Sequence, residues 1–155
     1  MSETHNREAL LERLMVNVPY LTFMGFEFEA EGDTLNAKMP YRSELIGNPS
    51  VPALHGGTIA AFLEVTAFMT LGWSRIWLGD GGRSAEGEVW PSIPKTIDLT
   101  IDYMRSGKPQ DTFAKARITR AGRRFATVHA TAWQGEPDRP IADAMCHFLM
   151  PRRDA

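Results

Sequence analysis

"HGGTIAAFLEVTAFMTLGW", residues 55–73, is the stretch on which the fold turns. From Gly57 to Trp73 only Thr58, Glu64, Thr66 and Thr70 carry polar side chains, so the segment is apolar nearly all round. A helix of that kind lacks a solvent face and has to be enclosed on most sides. Glu64 interrupts it, and the run falls short of the roughly 20 apolar residues that a membrane span needs. A long buried helix and no membrane association are therefore expected. Glu64 is the anomaly, because an ionised carboxylate in apolar surroundings is costly unless paired or hydrogen-bonded. No lysine or arginine stands near it in the chain. Costly placements of titratable groups often mark function; the alternative is that Glu64 reaches solvent, or an arginine of a second copy, through a gap in the wrapping.

Outward from this helix the chain is mostly strand-like. Residues 3–18 place Leu10, Leu11, Leu14, Met15 and Val18 at helical spacing, which predicts an amphipathic N-terminal helix. "FMGFEFEAEGDTLNAKMPY" (23–41) alternates aromatic and apolar residues with acids and breaks at Gly32-Asp33, which predicts two strands and a turn. Residues 41–54, with Pro49, Pro52 and Gly47, read as a loop. "GDGGRSAEGE" (79–88) reads as a second loop. In "PKTIDLTIDYM" (94–104), Ile97, Leu99, Ile101 and Tyr103 alternate against Thr96, Asp98, Thr100 and Asp102, the pattern of a half-buried strand. Strands are also expected at about 111–120 and 124–134, flanking "RAGRR", and from about Ile141 to Met150. An α+β fold follows, with an antiparallel sheet of about six strands curled around the apolar helix and an extra helix at the N-terminus.

The bulk properties bound the function. With 155 residues, 43% of them hydrophobic, the chain is expected to form one domain over residues 1–155. Its 17 basic and 19 acidic residues give a net charge of −2, without the basic excess of a nucleic-acid-binding surface. Cys146 is the single cysteine, so an internal disulfide or a cysteine zinc cage is excluded. Its apolar strand context predicts inert core. The charged start "MSETHNREALLERLM" lacks the order of a signal peptide, and a cytoplasmic location is expected.

Element order and motifs together resemble the hotdog-fold acyl-CoA thioesterases of the phenylacetate-degradation type. The residues carrying the resemblance are a loop asparagine, Asn48; His55-Gly56-Gly57 opening the central helix; and an acid eight residues after the first glycine, Glu64. It continues through "TIDLTIDYMRSGK", "ITRAGRRFATVHATAW" and "IADAMCHFLM", and so covers about residues 20–150. The resemblance implies hydrolysis of an acyl-CoA thioester, with coenzyme A as part of the substrate and no metal or further cofactor, at sites between two subunits that often pair again into a dimer of dimers. It also matches Asn48 to a loop amide that places the thioester or water, and Thr96 to a hydroxyl at a strand start. It implies basic residues near the coenzyme A phosphates, for which Arg120, Arg123 and Arg124, with Arg105 and Lys108, are the candidates.

The residues themselves support parts of this chemistry. Glycines can be approached closely, and a helix start leaves backbone N–H groups unpaired at the positive end of the dipole. Gly56 and Gly57 thus suit a carbonyl oxygen gaining negative charge; the bland alternative is close packing against the sheet. Glu64 suits a nucleophile or a general base. Eight helical residues separate Gly56 and Glu64 by about 12 Å along the axis, whereas groups acting on one carbonyl must each come within about 3 Å. Two antiparallel copies of the helix would join Gly56 of one chain to Glu64 of the other, and a homodimer is expected. His55 could orient the glycine turn, bond the loop or contact substrate. Phe68, Trp73, Trp77 and Trp90 are candidates for an apolar acyl pocket, with core packing the default for each. Two further readings stay open: a hydratase or dehydratase, in which His55 would face the carboxylate, and a non-catalytic acyl-CoA-binding module.

Overall fold

The computed structural model describes residues 3–74 and 93–151. The loop expected at 79–88, Trp77 and Trp90 lie outside the described residues. Helix α1 (Glu3–Asn17) buries Leu14 and lays Leu11 and Met15 against the core. A short α2 (Pro19–Met24) follows, then β1 (Glu27–Glu31) and β2 (Thr34–Met39), joined at Gly32 with φ +60. A single 3-10 turn, Ser43–Leu45, leads into a small hairpin of β3 (Ile46–Asn48) and β4 (Ala53–Leu54). The central helix α3 runs Gly56–Trp73, and β5 (Lys95–Tyr103), β6 (Thr112–Ala121), β7 (Phe125–Trp133) and β8 (Ala142–Leu149) complete the fold.

Six strands form one sheet in the order β1-β2-β6-β7-β8-β5, every pair antiparallel. One face of this sheet is built from Leu35, Ala37 and Met39, Ala114, Val128, Ala130 and Ala132, and Ala142, Ala144, Cys146 and Phe148, all buried. The central strands present mostly alanine there, and the room this leaves is filled by the large side chains of α3, among them Phe62, Leu63, Met69 and Leu71. The Thr66 hydroxyl, wholly buried, donates to the Phe62 carbonyl at 2.7 Å and so enters the core satisfied. A curved antiparallel sheet enclosing one apolar helix is the hotdog arrangement that the resemblance implied. No helix of the described residues is long and apolar enough to cross a membrane.

Three local expectations are corrected. Residues 23–24 belong to α2, not to a strand: Pro19 opens the helix and Gly25, at φ +66, closes it in the left-handed conformation, the usual asymmetry of helix ends. Residues 41–54 are more than a loop, because the β3–β4 hairpin crosses them. The alternation in β5 breaks at Ile97, where the register against β8 slips between Thr96 and Asp98. Thr96 pairs with Phe148, Leu99 with Cys146 and Ile101 with Ala144. The bulge therefore turns Thr96 onto the helix side together with Leu99, Ile101 and Tyr103, and leaves Ile97 53% exposed.

The two edges of the sheet differ. On β1, Glu27, Glu29 and Glu31 line the outward face, and Glu27 and Glu31 pair with Lys38 and Lys115 at 3.7 and 3.6 Å. Such charges discourage pairing with another strand. The other edge, β5, is nine residues long, with Leu99 and Ile101 half-buried and Tyr103 exposed. One face of α3 is likewise incompletely covered: Ala60, Ala61, Glu64, Val65 and Phe68 recur at helical spacing as its half-buried residues.

Candidate active site

Four backbone hydrogen bonds fix the start of α3. Leu54 N–H donates to the Gly107 carbonyl at 2.9 Å, His55 N–H to the Leu45 carbonyl at 2.8 Å, and Thr58 and Ile59 N–H both to the His55 carbonyl at 3.0 and 3.3 Å. Gly47 passes so close that a Cβ there would stand 2.6 Å from the His55 Cα. His55 is the N-cap, with φ −65 and ψ 131, and its Nδ1 accepts from Gly57 N–H at 2.9 Å. The Gly56 carbonyl accepts from the Tyr103 hydroxyl at 2.7 Å. Among the described residues no acceptor meets Gly56 N–H. The first turn of the helix thus leaves one donor unused, at its positive end.

Glu64 lies two turns further along the half-covered face of α3, and among the described residues it has no ion pair or side-chain hydrogen bond. Its charge nevertheless reaches the sheet. The buried Cys146 thiol is pushed up to about 12, first by burial and then by the negative charges of Glu64 and Asp98. A thiol held that far from ionisation is inert, as its context predicted. Cys146 pairs with Leu99 on β5. The Tyr103 bond ties the start of α3 to the end of β5.

The other candidates are spread around these residues. Thr96, on the helix side of β5, lies one step past Leu99 in the pairing with β8. Phe68 is half-buried on the same helix face as Glu64. Asn48 is exposed, and its Oδ1 accepts from Ser50 and Val51 N–H at 3.1 and 3.4 Å, which caps its own turn and leaves the amide nitrogen as the group it can offer. Gly57 N–H is engaged by His55. Trp73 belongs to the core: it is 2% exposed, its indole N–H donates to the Gly32 carbonyl at 3.2 Å, and the Arg7 guanidinium covers its ring.

Arg120, Arg123 and Arg124 line a cleft of about 560 Å³ beside the β5 bulge. Its other walls include Ile97, Phe125 and the Asp98–His147 pair, joined at 3.0 Å. The Arg124 guanidinium lies 5.9 Å from the Phe125 ring centroid. Arg105, by contrast, donates to the Pro140 carbonyl and braces a loop. Tyr103 was missed as a site residue in the sequence, where it reads only as the last apolar position of a strand; its bond to Gly56 spans 47 residues.

Known proteins share this fold and part of its sequence. The chain is 28% identical over 141 residues to the medium/long-chain acyl-CoA thioesterase YigI of Escherichia coli, covering 90% of each. A solved structure from Chromobacterium violaceum superposes with a TM-score of 0.66 at 30% identity, covering 97% of this chain and 99% of that one. The PaaI protein of the E. coli phenylacetic acid degradation operon shares the fold at a TM-score of 0.75 and 12% identity, over 97% of this chain and 96% of that one. The model of the thioesterase superfamily matches residues 52–141, from the approach to α3 to the start of β8. With more than half of its length matched, the chain belongs to the thioesterase superfamily and is a thioester hydrolase.

Proposed function

We propose that this chain hydrolyses acyl-CoA thioesters to the free acid and coenzyme A, at two equivalent sites formed between two copies of itself. The observation that carries the reading is the presence, on one helix, of a Gly56 N–H and a Glu64 carboxylate that both lack a partner among the described residues. The thioester carbonyl oxygen accepts from Gly56 N–H, and the negative charge it gains on attack is stabilised there. Glu64 either takes a proton from the attacking water or attacks the carbonyl itself to give an anhydride that water then opens. On both routes the C–S bond breaks, the thiolate leaves and is protonated, and no metal or redox cofactor takes part.

The ~12 Å between Gly56 and Glu64 requires the carboxylate and the N–H of one site to come from different chains. Two features support the partner being a second copy: β5 is an end strand of the sheet and one face of α3 is only half-covered among the described residues, and Ala60 and Ala61, between Gly57 and Glu64, let a second helix approach closely. Asn48 and Thr96 serve as flanking polar groups for thioester or water, and His55 holds the glycine turn. Phe68 borders the acyl chain. The arginine cleft at the β5 bulge receives the coenzyme A phosphates, for which guanidinium has both charge and fork geometry.

Thiol release from short, medium, long-chain and aryl acyl-CoAs tests the reaction. The E. coli relative's name puts the medium and long chains first. Turnover of at least one class is the expected result, and tight binding of acyl-CoA without thiol release would overturn the reading in favour of a binding module. The cleft has its own test. A charge-assisted contact contributes about 1.5–3 kcal/mol, so replacing Arg120, Arg123 and Arg124 by alanine is expected to raise KM for acyl-CoA roughly ten- to a hundredfold. KM for the matching acyl-pantetheine, which lacks the nucleotide, should stay put; an equal rise for both would take the phosphates away from this cleft.

A further inference from the structure

Tyr103 ends β5 with its side chain half exposed at 53%, and spends its hydroxyl on a backbone carbonyl 47 residues away. That carbonyl, of Gly56, belongs to the same peptide unit as Gly57 N–H, which donates to His55 Nδ1 at 2.9 Å. The result is a directed chain: phenol O–H to peptide oxygen, peptide N–H to imidazole. The unit between the two bonds is planar and stiff, so holding its oxygen also sets the direction of its N–H. A hydrogen bond to the carbonyl polarises the amide and strengthens the N–H as a donor. Because a backbone N–H can only donate, Nδ1 must carry the lone pair, and the proton of the neutral ring sits on Nε2.

We propose that Tyr103 is a positioning residue for thioester hydrolysis: through the Gly56–Gly57 peptide it holds His55 as its Nε2–H tautomer and locks the helix start so that Gly56 N–H stays free and aimed at the substrate. The inference rests on the reading of Gly56 N–H as the oxyanion donor. It assigns His55 a donor's role, since the ring nitrogen able to accept a proton is already bonded to the helix. That tautomer counts against a hydratase, whose histidine would have to act as a base.

Tyr103→Phe removes only the hydroxyl and keeps the ring. Misplacing a catalytic group by about 1 Å can cost about 10²-fold, and kcat is expected to fall by roughly ten- to a hundredfold with KM little changed. Imidazole ¹⁵N shifts of His55 should show the Nε2–H tautomer in the wild type and a mixture of tautomers in Tyr103→Phe, with the Gly57 amide proton moving upfield as its bond loosens. Wild-type kcat in Tyr103→Phe overturns the proposal, as does a lowered kcat with unchanged His55 and Gly57 signals. Even if the variant does not fold, an Nδ1–H tautomer in the wild-type spectrum would by itself overturn the proposal. Glu64→Ala measured alongside separates the two levels. A wild type without thiol release, or an active Glu64→Ala, overturns the reaction itself; a fully active Tyr103→Phe beside an inactive Glu64→Ala overturns only the role of Tyr103.

Discussion

Glu64→Ala should release thiol from its best acyl-CoA about 10²- to 10⁴-fold more slowly than the wild type, the range over which a positioned acid or base contributes. The fold should survive, because Glu64 makes no ion pair or side-chain hydrogen bond among the described residues and alanine is the best helix former. Melting temperature and dimer content are therefore the controls, and both should match or exceed those of the wild type. Glu64→Gln keeps the shape and loses the charge, and should be nearly as slow. If either variant turned over at the wild-type rate in a folded dimer, Glu64 would leave the mechanism and the unpaired carboxylate would need another explanation.

Gly56→Pro should cost about 10²- to 10³-fold in kcat, as loss of a single oxyanion donor does. Proline is the right instrument because Gly56 is the first residue of α3, where a missing N–H costs no helical bond. His55 already has the extended backbone, ψ 131, that a residue before proline prefers. The added Cβ would come 3.2 Å from the Tyr103 hydroxyl, which has to yield by a few tenths of an ångström. Mixing the two inactive proteins then tests where the site lies. In a heterodimer of Gly56→Pro with Glu64→Ala, one site has an intact Gly56 from one chain and an intact Glu64 from the other. After subunit exchange, activity should return to about a quarter of the wild-type value, since half the dimers are mixed and each has one good site. No recovery from a mixture shown to have exchanged would place both groups of each site within one chain.

What the sequence disclosed and what it withheld divide along one line. The enclosure of α3, the acid within it and the alternation of Leu99, Ile101 and Tyr103 in β5 are local patterns, and each was legible because burial on one side imposes a period on the residues. The Ile97 bulge was not, since it exists only in the pairing of β5 with β8. A one-residue slip puts Thr96 on the helix side, whereas alternation alone had put it opposite Leu99. The β3–β4 hairpin was hidden for a similar reason: its prolines read as loop, and it is anchored by His55 N–H to Leu45 and Leu54 N–H to Gly107, bonds that tie it to other parts of the chain. For α2 the end signals Pro19 and Gly25 were present, but the neighbouring alternation of Phe26 and Phe28 with acids was read too far back. Tyr103 is the clearest case, because its aromatic ring fits a strand pattern while its hydroxyl answers to a helix 47 residues earlier.

The unlike edges of the sheet also bear on the proposed dimer. A strand edge is adhesive, and a sheet with two adhesive edges polymerises into a filament. Here a twofold pairing through β5 would consume the adhesive edge of both copies at once, and the edges left outward would be two β1 strands bearing Glu27, Glu29 and Glu31. Charged residues on an edge discourage further strand pairing. In the proposed dimer the three glutamates, remote from Glu64 and the thioester, would let the sheet double once and stop it there, short of a fibre.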